Sequence, residues 1–334
     1  MARKALMPIP LLFGLLSWPL ARAQQTQESP TFSVSVNLVK VPVSVFDEKG
    51  APMLQLHAGD FRVYEDGIVQ EVRSLGIDQN RVSVALVLDT SATVEKEFNR
   101  IRQAARDFVR ALSPRDQVAV VAFSDEATRV LDWTDNRKAF QKALRDIEPG
   151  VRTALYDAMF MASNDLLRGV EGRKAIILLT DMLNNQSRVG FPQASVSIVQ
   201  SQASLYVVSK TVIVRRQAMN QRRVVWLHGI YRRLFGDGDY VEEFFRKREG
   251  EMTDLAERTG GRCLFPEDYD RIGDAYDEIA RELRNQYYLT YVSNQRMTPD
   301  SYHRITLEYT RPSGKLIHRQ GYYFQPKPLS RPRY

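Results

Sequence analysis

Two apolar runs in this chain each lead into an aspartate, and that pattern leaves few folds open. Val82-Ser83-Val84-Ala85-Leu86-Val87-Leu88 runs into Asp89, and Ala175-Ile176-Ile177-Leu178-Leu179 runs through Thr180 into Asp181. Such runs, with little polar alternation, belong to strands covered on both faces. Between and after them the grammar alternates. Val94, Phe98, Ile101, Ala105, Phe108 and Leu112 recur at helical spacing and stop before Ser113-Pro114. Further strands are expected at 117–123, 128–133 (a short edge), 174–180, 205–208 and 262–265, and helices at 138–147, 153–167, 251–259 and 270–284. Strands alternating with helices predict an α/β domain over 82–285, a doubly wound, mostly parallel, Rossmann-like sheet with helices on both faces. Residues 210–250 interrupt the alternation as an insertion longer than a usual connection. It holds ten basic and five acidic residues, with the pairs Arg215-Arg216, Arg222-Arg223 and Arg232-Arg233.

The flanks read differently. From Phe32 the period is two, with Val34, Val36 and Leu38 alternating with polar residues and Val39, Val41, Val43 and Val45 continuing to a turn at Asp47-Glu48-Lys49-Gly50. Strands are expected at 61–64 and 70–75 around Glu65-Asp66-Gly67, and again at 287–292, 302–309 and 316–324, the last two joined by a hairpin turn at Pro312-Ser313-Gly314. Residues 32–78 and 287–325 thus form two β segments, each too small to bury a core alone. They are expected to pack together as one sandwich-like module, with the α/β domain inserted between them.

Residues 1–23 read as a cleaved signal peptide. Arg3 and Lys4 precede an apolar stretch to Leu20, and Ala21-Arg22-Ala23 offers a small-x-small cleavage pattern. The stretch carries three prolines and is shorter than the ~20 residues of a spanning helix. The mature chain is expected to start near Gln24, with a polar, disordered stretch over 24–31, and to be secreted or periplasmic with no membrane span. Without Arg3, Lys4 and Arg22 the formal charge falls from +7 to +4, which argues against nucleic acid as a partner. Cys263 is the sole cysteine, so no intrachain disulfide forms.

Asp89, Ser91 and Thr93 follow the first buried strand, Thr153 opens a later helix, and Asp181 follows another strand. Ligands of open α/β sheets gather at that carboxyl edge. Two carboxylates and three hydroxyls, without thiol or imidazole, are hard oxygen donors that suit Mg²⁺ or Mn²⁺.

With these residues placed, 82–285 resembles a von Willebrand factor type A domain. Asp89-Thr90-Ser91-Ala92-Thr93 matches its Asp-x-Ser-x-Ser pattern, Thr153 its distant threonine and Thr180-Asp181 its distant aspartate, in the matching order. Val39-Lys40-Val41-Pro42-Val43, Asp60-Phe61-Arg62-Val63-Tyr64-Glu65-Asp66-Gly67, Leu255-Ala256-Glu257-Arg258-Thr259-Gly260-Gly261 and Gln286-Tyr287-Tyr288-Leu289-Thr290-Tyr291 extend the resemblance to the exported von Willebrand-A-related proteins common in Acidobacteria. The resemblance implies a metal-ion-dependent adhesion site. Ser91, Thr93 and Thr153 would offer hydroxyls to the ion, Asp89 and Asp181 would act largely through water, and a partner protein's carboxylate would complete the octahedron. Three departures are visible. Thr93 replaces the second serine. Arg152 stands before Thr153, where it would either repel the metal or pair with the partner's carboxylate. Met182 follows Asp181 where glycine is common, and its side chain would crowd the loop.

A structural scaffold with a vestigial metal site is the alternative. An enzyme is disfavoured: a haloacid-dehalogenase-like phosphatase needs an acid two residues after its nucleophilic aspartate, and here that residue is Ser91. No phosphate loop or nucleophile elbow is present either. Asp157 reads as a first-turn helix acid, Tyr287, Tyr288 and Tyr291 as a β edge, and Cys263 as a buried small hydrophobe. His57, His228, His303 and His318 lack metal-ligand spacing.

Overall fold

The structure, a computed structural model, describes residues 37–91, 95–220 and 240–325. In chain order it begins with four strands, β1 (Leu38–Phe46), β2 (Phe61–Glu65), β3 (Ile68–Gln70) and β4 (Val72–Ile77). An α/β series follows: β5 (Val82–Asp89), α1 (Glu95–Ala111), β6 (Gln117–Phe123), β7 (Ala127–Thr134), α2 (Arg137–Arg145), α3 (Leu155–Phe160), β8 (Arg173–Thr180), α4 (Phe191–Ser201), β9 (Ser204–Ser209), α5 (Thr211–Asn220), α6 (Tyr240–Arg258), β10 (Cys263–Leu264) and α7 (Ile272–Asn285). Four strands close the chain, β11 (Tyr287–Val292), β12 (Tyr302–Tyr309), β13 (Lys315–His318) and β14 (Gly321–Tyr323).

The central sheet has the order β10-β9-β8-β5-β6-β7, parallel throughout except for β7, which pairs antiparallel with β6. Every residue of β5 is buried, as its unbroken apolar run requires. Val84, Leu86 and Leu88 face a core shared with Phe98, Ile101 and Phe108 of α1 and Tyr276 and Ile279 of α7. Ala85 and Val87 face a second core with Leu155 and Met159 of α3, Ile198 of α4 and Leu255 of α6. The sheet is therefore covered on both sides. Because β6 lies on one side of β5 and β8 on the other, the chain changes winding direction at the β5/β8 pair. A crevice at the carboxyl ends of the strands is expected at such a switch point.

The two outer β segments join. One sheet runs β13-β1-β11-β4 and the other β14-β12-β2-β3, so each takes strands from both ends of the chain. Val41, Val43, Phe61, Val63, Leu289, Tyr291, Ile305 and Leu307 form their shared core. Register is set by antiparallel pairs such as Val41 with Leu289 and Val63 with Leu307.

Several expectations change. The strand expected at 316–324 splits into β13, which pairs with β1, and β14, which pairs with β12, so Pro312-Ser313-Gly314 carries the chain from one sheet to the other and closes no hairpin. The helix expected over 153–167 starts at Leu155 and passes into a π turn at Met161–Leu166. The run 70–75 splits at Glu71 into the ends of β3 and β4. The tyrosines of β11 are not at an edge, because β11 lies between β1 and β4, with Tyr287 and Tyr291 buried. Helix α4 has no counterpart in the sequence reading. Of the insertion, α5 and α6 are helical, whereas residues 221–239, with Arg222, Arg223, His228, Arg232 and Arg233, lie outside the described residues. The signal peptide and the 24–31 stretch also lie outside them. No helix among the described residues is long and apolar enough to cross a membrane.

Candidate functional site at the carboxyl edge of the sheet

Asp89 ends β5 and is fully buried. Its Oδ1 accepts the Ser91 backbone N–H at 2.9 Å and the Ser91 hydroxyl at 2.5 Å, so the chain curls back over its own carboxylate. Its Oδ2 accepts the backbone N–H of Asp181 at 3.3 Å, which ties the end of β5 to the residue after β8 across the switch point. The Asp181 carboxylate in turn accepts the Leu183 N–H at 3.0 Å. Burial pushes the Asp181 carboxyl up to about 6, the charge of Asp89 adds to the rise, and Lys210 opposes it.

Thr153 reaches the same edge on a loop fastened at three points. Gly150 N–H donates to the Thr90 carbonyl at 3.1 Å, Ala154 N–H to the Ser124 carbonyl at 2.8 Å, and Thr153 N–H to Asn185 Oδ1 at 2.9 Å. Gly150 is needed for the approach, since a Cβ there would run into the Ser124 side chain. Asp89, Ser91, Thr153 and Asp181 are all buried at this edge. Thr93, the remaining expected ligand, lies outside the described residues.

Arg152, next to Thr153 in the chain, is exposed, and its Nη1 donates to Gln186 Oε1 at 2.9 Å. Asp157 does more than favour a helix dipole. It accepts the N–H groups of Arg188 (3.0 Å) and Val189 (2.9 Å) and so clamps the loop that follows Asp181. Met182 does not crowd this loop. It takes a left-handed backbone, φ 62°, and buries its side chain in the core beneath.

The sequence reading missed Lys210. It follows β9 directly, its side chain is 2 % exposed, and its Nζ lies 3.1 Å from Asp89 Oδ2. Burial opposes its charge, but Asp89 and Asp181 outweigh burial and hold its pKa above the ordinary lysine value. The signal was available: Lys210 is a third charged residue placed directly after a buried strand, in the same sheet as the two aspartates.

Elsewhere, Glu65, Asp66 and His303 come together in the sandwich, with potential ligand atoms within 4.8 Å of one another. Their hydrogen bonds are already committed. Glu65 accepts the Tyr322 hydroxyl at 2.7 Å and the Ser293 hydroxyl at 2.5 Å, while His303 Nδ1 meets Asp66 at 2.8 Å and its Nε2 meets Ser301 at 2.8 Å. This cluster locks β2 to β12 and β14. Cys263 is only partly covered, and burial pushes its thiol up to about 12.

Residues 84–184 match the model of the von Willebrand factor type A domain. A UPF0353 protein of Mycobacterium ulcerans is 33% identical over 118 residues, 34% of this chain and 34% of the relative. A UPF0353 protein of Mycobacterium tuberculosis is 32% identical over 108 residues, 30% of this chain and 31% of the relative. The match thus spans about a third of the length of these curated relatives. Among solved structures, a von Willebrand factor type A protein from Catenulispora acidiphila aligns at 12% identity and TM-score 0.46, covering 86% of this chain and 75% of that one. Proximal thread matrix protein 1 from the mussel byssus aligns at 16% identity and TM-score 0.45, covering 66% and 50%.

Proposed function

We propose, from the premise that this chain carries a von Willebrand factor type A domain, that it is an exported, non-enzymatic binding module whose carboxyl-edge site holds Mg²⁺ or Mn²⁺ and recognises an acidic residue of a partner protein. The observation that carries this reading is the convergence of Asp89, Ser91, Asp181 and Thr153 at the switch point, all buried and all with oxygen donors. That donor set suits a hard divalent cation. Ser91, Thr93 and Thr153 would hold the ion, with Asp89 and Asp181 orienting its water. Once bound, the ion would act as an electrophilic anchor for the partner's carboxylate. Gly150 lets the Thr153 loop close in, Asp157 clamps the loop that follows Asp181, and Arg152, exposed beside Thr153, would exchange Gln186 for an acidic ligand as a second contact.

The competing reading is a structural scaffold in which the Lys210–Asp89 ion pair permanently replaces the metal. The test is calorimetry with Mn²⁺ on the wild type and on Thr153→Val, which removes one hydroxyl at constant shape and leaves Asp89 and Lys210 in place. Removing a ligand should weaken Mn²⁺ by at least about ten- to a hundredfold, the range already seen for outer-shell partners. Equal affinities would rule Thr153 out as a ligand, and no binding to the wild type would favour the scaffold. For the partner, retention of the protein on an immobilised envelope fraction should be lost in EDTA.

A further inference from the structure

The geometry points to Lys210 as a tethered cation that stands in for the divalent ion at Asp89 and competes with it. The inference rests on the metal-dependent reading above and deepens it.

Lys210 is held by its backbone on both sides. Its N–H donates to the Thr180 carbonyl at 2.7 Å, at the end of β8, and its own carbonyl accepts the Val214 N–H at 2.9 Å in the first turn of α5. From that fixed base the side chain crosses the end of β8 and reaches Asp89 on β5, two strands away in the sheet. The Lys210 side chain is 2 % exposed and that of Asp89 0 %, so the pair is held away from bulk water. A surface lysine that strayed inward would gain little from such a contact. A fully buried pair is different, because removing one partner leaves an uncompensated charge in a low-dielectric interior. Lys210 therefore keeps the site intact when no metal is present.

The same charge sets the terms for metal binding. Asp89 and Asp181 together carry two negative charges and Lys210 one positive, leaving an excess of one negative charge at the edge. A divalent cation entering beside the ammonium would overshoot neutrality, and it would meet a like charge at short range. Without Lys210 the two carboxylates would match a divalent ion. A lysine is suited to yield, since its ammonium sits on a flexible four-carbon stem and withdraws without moving the backbone. Divalent binding is then an exchange of one cation for another, weaker than the oxygen donors alone would give.

The test compares Mn²⁺ binding by calorimetry, and thermal unfolding in EDTA and in Mn²⁺, for the wild type, Lys210→Met and the double variant Asp89→Asn/Lys210→Met. Lys210→Met should bind Mn²⁺ about tenfold more tightly or better. It should also melt lower than wild type in EDTA and recover in Mn²⁺. The double variant, with both charges removed, should regain stability in EDTA and show no tighter Mn²⁺ binding than wild type. If wild type binds Mn²⁺ and Lys210→Met binds it no more tightly, the inference fails while the adhesion reading stands. If neither binds, both fail. Should Lys210→Met not fold in EDTA, recovery of its circular dichroism on adding Mn²⁺ reads the same competition. No recovery, with the double variant folded, overturns it.

Discussion

Lys174, the second residue of β8, carries a charge that the fold partly strips of water. Burial, with Arg319 adding repulsion and Glu171 giving partial relief, brings its amine down to about 8. In the unfolded chain a lysine titrates near ~10.4. Between those values the native state binds fewer protons than the unfolded one, so stability rises with pH across the window, and the penalty is full below it. Denaturant unfolding at about pH 7.5 and about pH 9.5 should show wild type gaining roughly 1–2 kcal/mol relative to Lys174→Met. Parallel behaviour of the two would refute the assignment. Single residues also mark where the sequence was hard to read. Asp89 and Asp181 were legible because each ends a buried run. Lys210 carries the same signal at the end of β9, but its strand is short and opens onto a basic stretch that resembles a solvated face, which masks it. Met182 was legible as a departure but not in its effect, since only the fold shows its side chain turning into the core.

At the level of elements, the strands covered on both faces were readable because covering leaves no room for polar residues, and β5, β6 and β8 fall close to where the sequence places them. Helix α4, Phe191-Pro192-Gln193-Ala194-Ser195-Val196-Ser197-Ile198-Val199-Gln200-Ser201, escaped because three serines dilute its apolar stripe. Two of them turn inward, where Ser197 meets Ser163 at 2.7 Å and Ser201 donates to the Ile198 carbonyl at 2.7 Å. Helix α7 shows an element fixed by one polar residue. Its Glu282, 1 % exposed, accepts from Arg262 Nε at 2.8 Å, from the Tyr206 hydroxyl of β9 at 3.0 Å and from Ser44 of β1 at 3.4 Å. Glu282→Ala should cost about 3 kcal/mol, because it strips the buried Tyr206 and Ser44 hydroxyls of their acceptor and leaves the Arg262 guanidinium with Glu278, at 2.8 Å, in place of two carboxylates. Glu282→Gln keeps an oxygen acceptor for the same donors and should cost less, about 1–2 kcal/mol. Denaturant midpoints for the two variants are the check, and equal losses would mean the charge is immaterial.

For the whole molecule, the chain's two ends close one sandwich on the frame of the α/β layers. Neither segment 38–77 nor 287–323 supplies a complete sheet. In the first sheet β11 lies between β1 and β4, and in the second β12 lies between β14 and β2. The size of the segments announced the partnership, whereas the register did not, since a slip along alternating strands needs side-chain packing to decide it. The sandwich is also bound to the α/β layers. Arg173 Nη1 donates to the Asp78 carbonyl at 2.7 Å, Arg319 Nη2 to the Gln202 carbonyl at 2.6 Å, and Gln320 N–H to the Arg258 carbonyl at 3.0 Å. A chain ending after Asn285 would leave β1 and β2 without their central partners and expose Val41, Val43 and Val63 to water. Such edges do not persist as isolated hairpins. In limited trypsin digestion followed by mass spectrometry, the truncated chain should therefore be cut early within 38–77 while the buried strands β5, β6, β8 and β9 survive. The intact chain should protect 38–77 and 287–323 to the same extent. Early cleavage within 38–77 of the intact chain, with 287–323 still protected, would show that the two segments are not one cooperative unit.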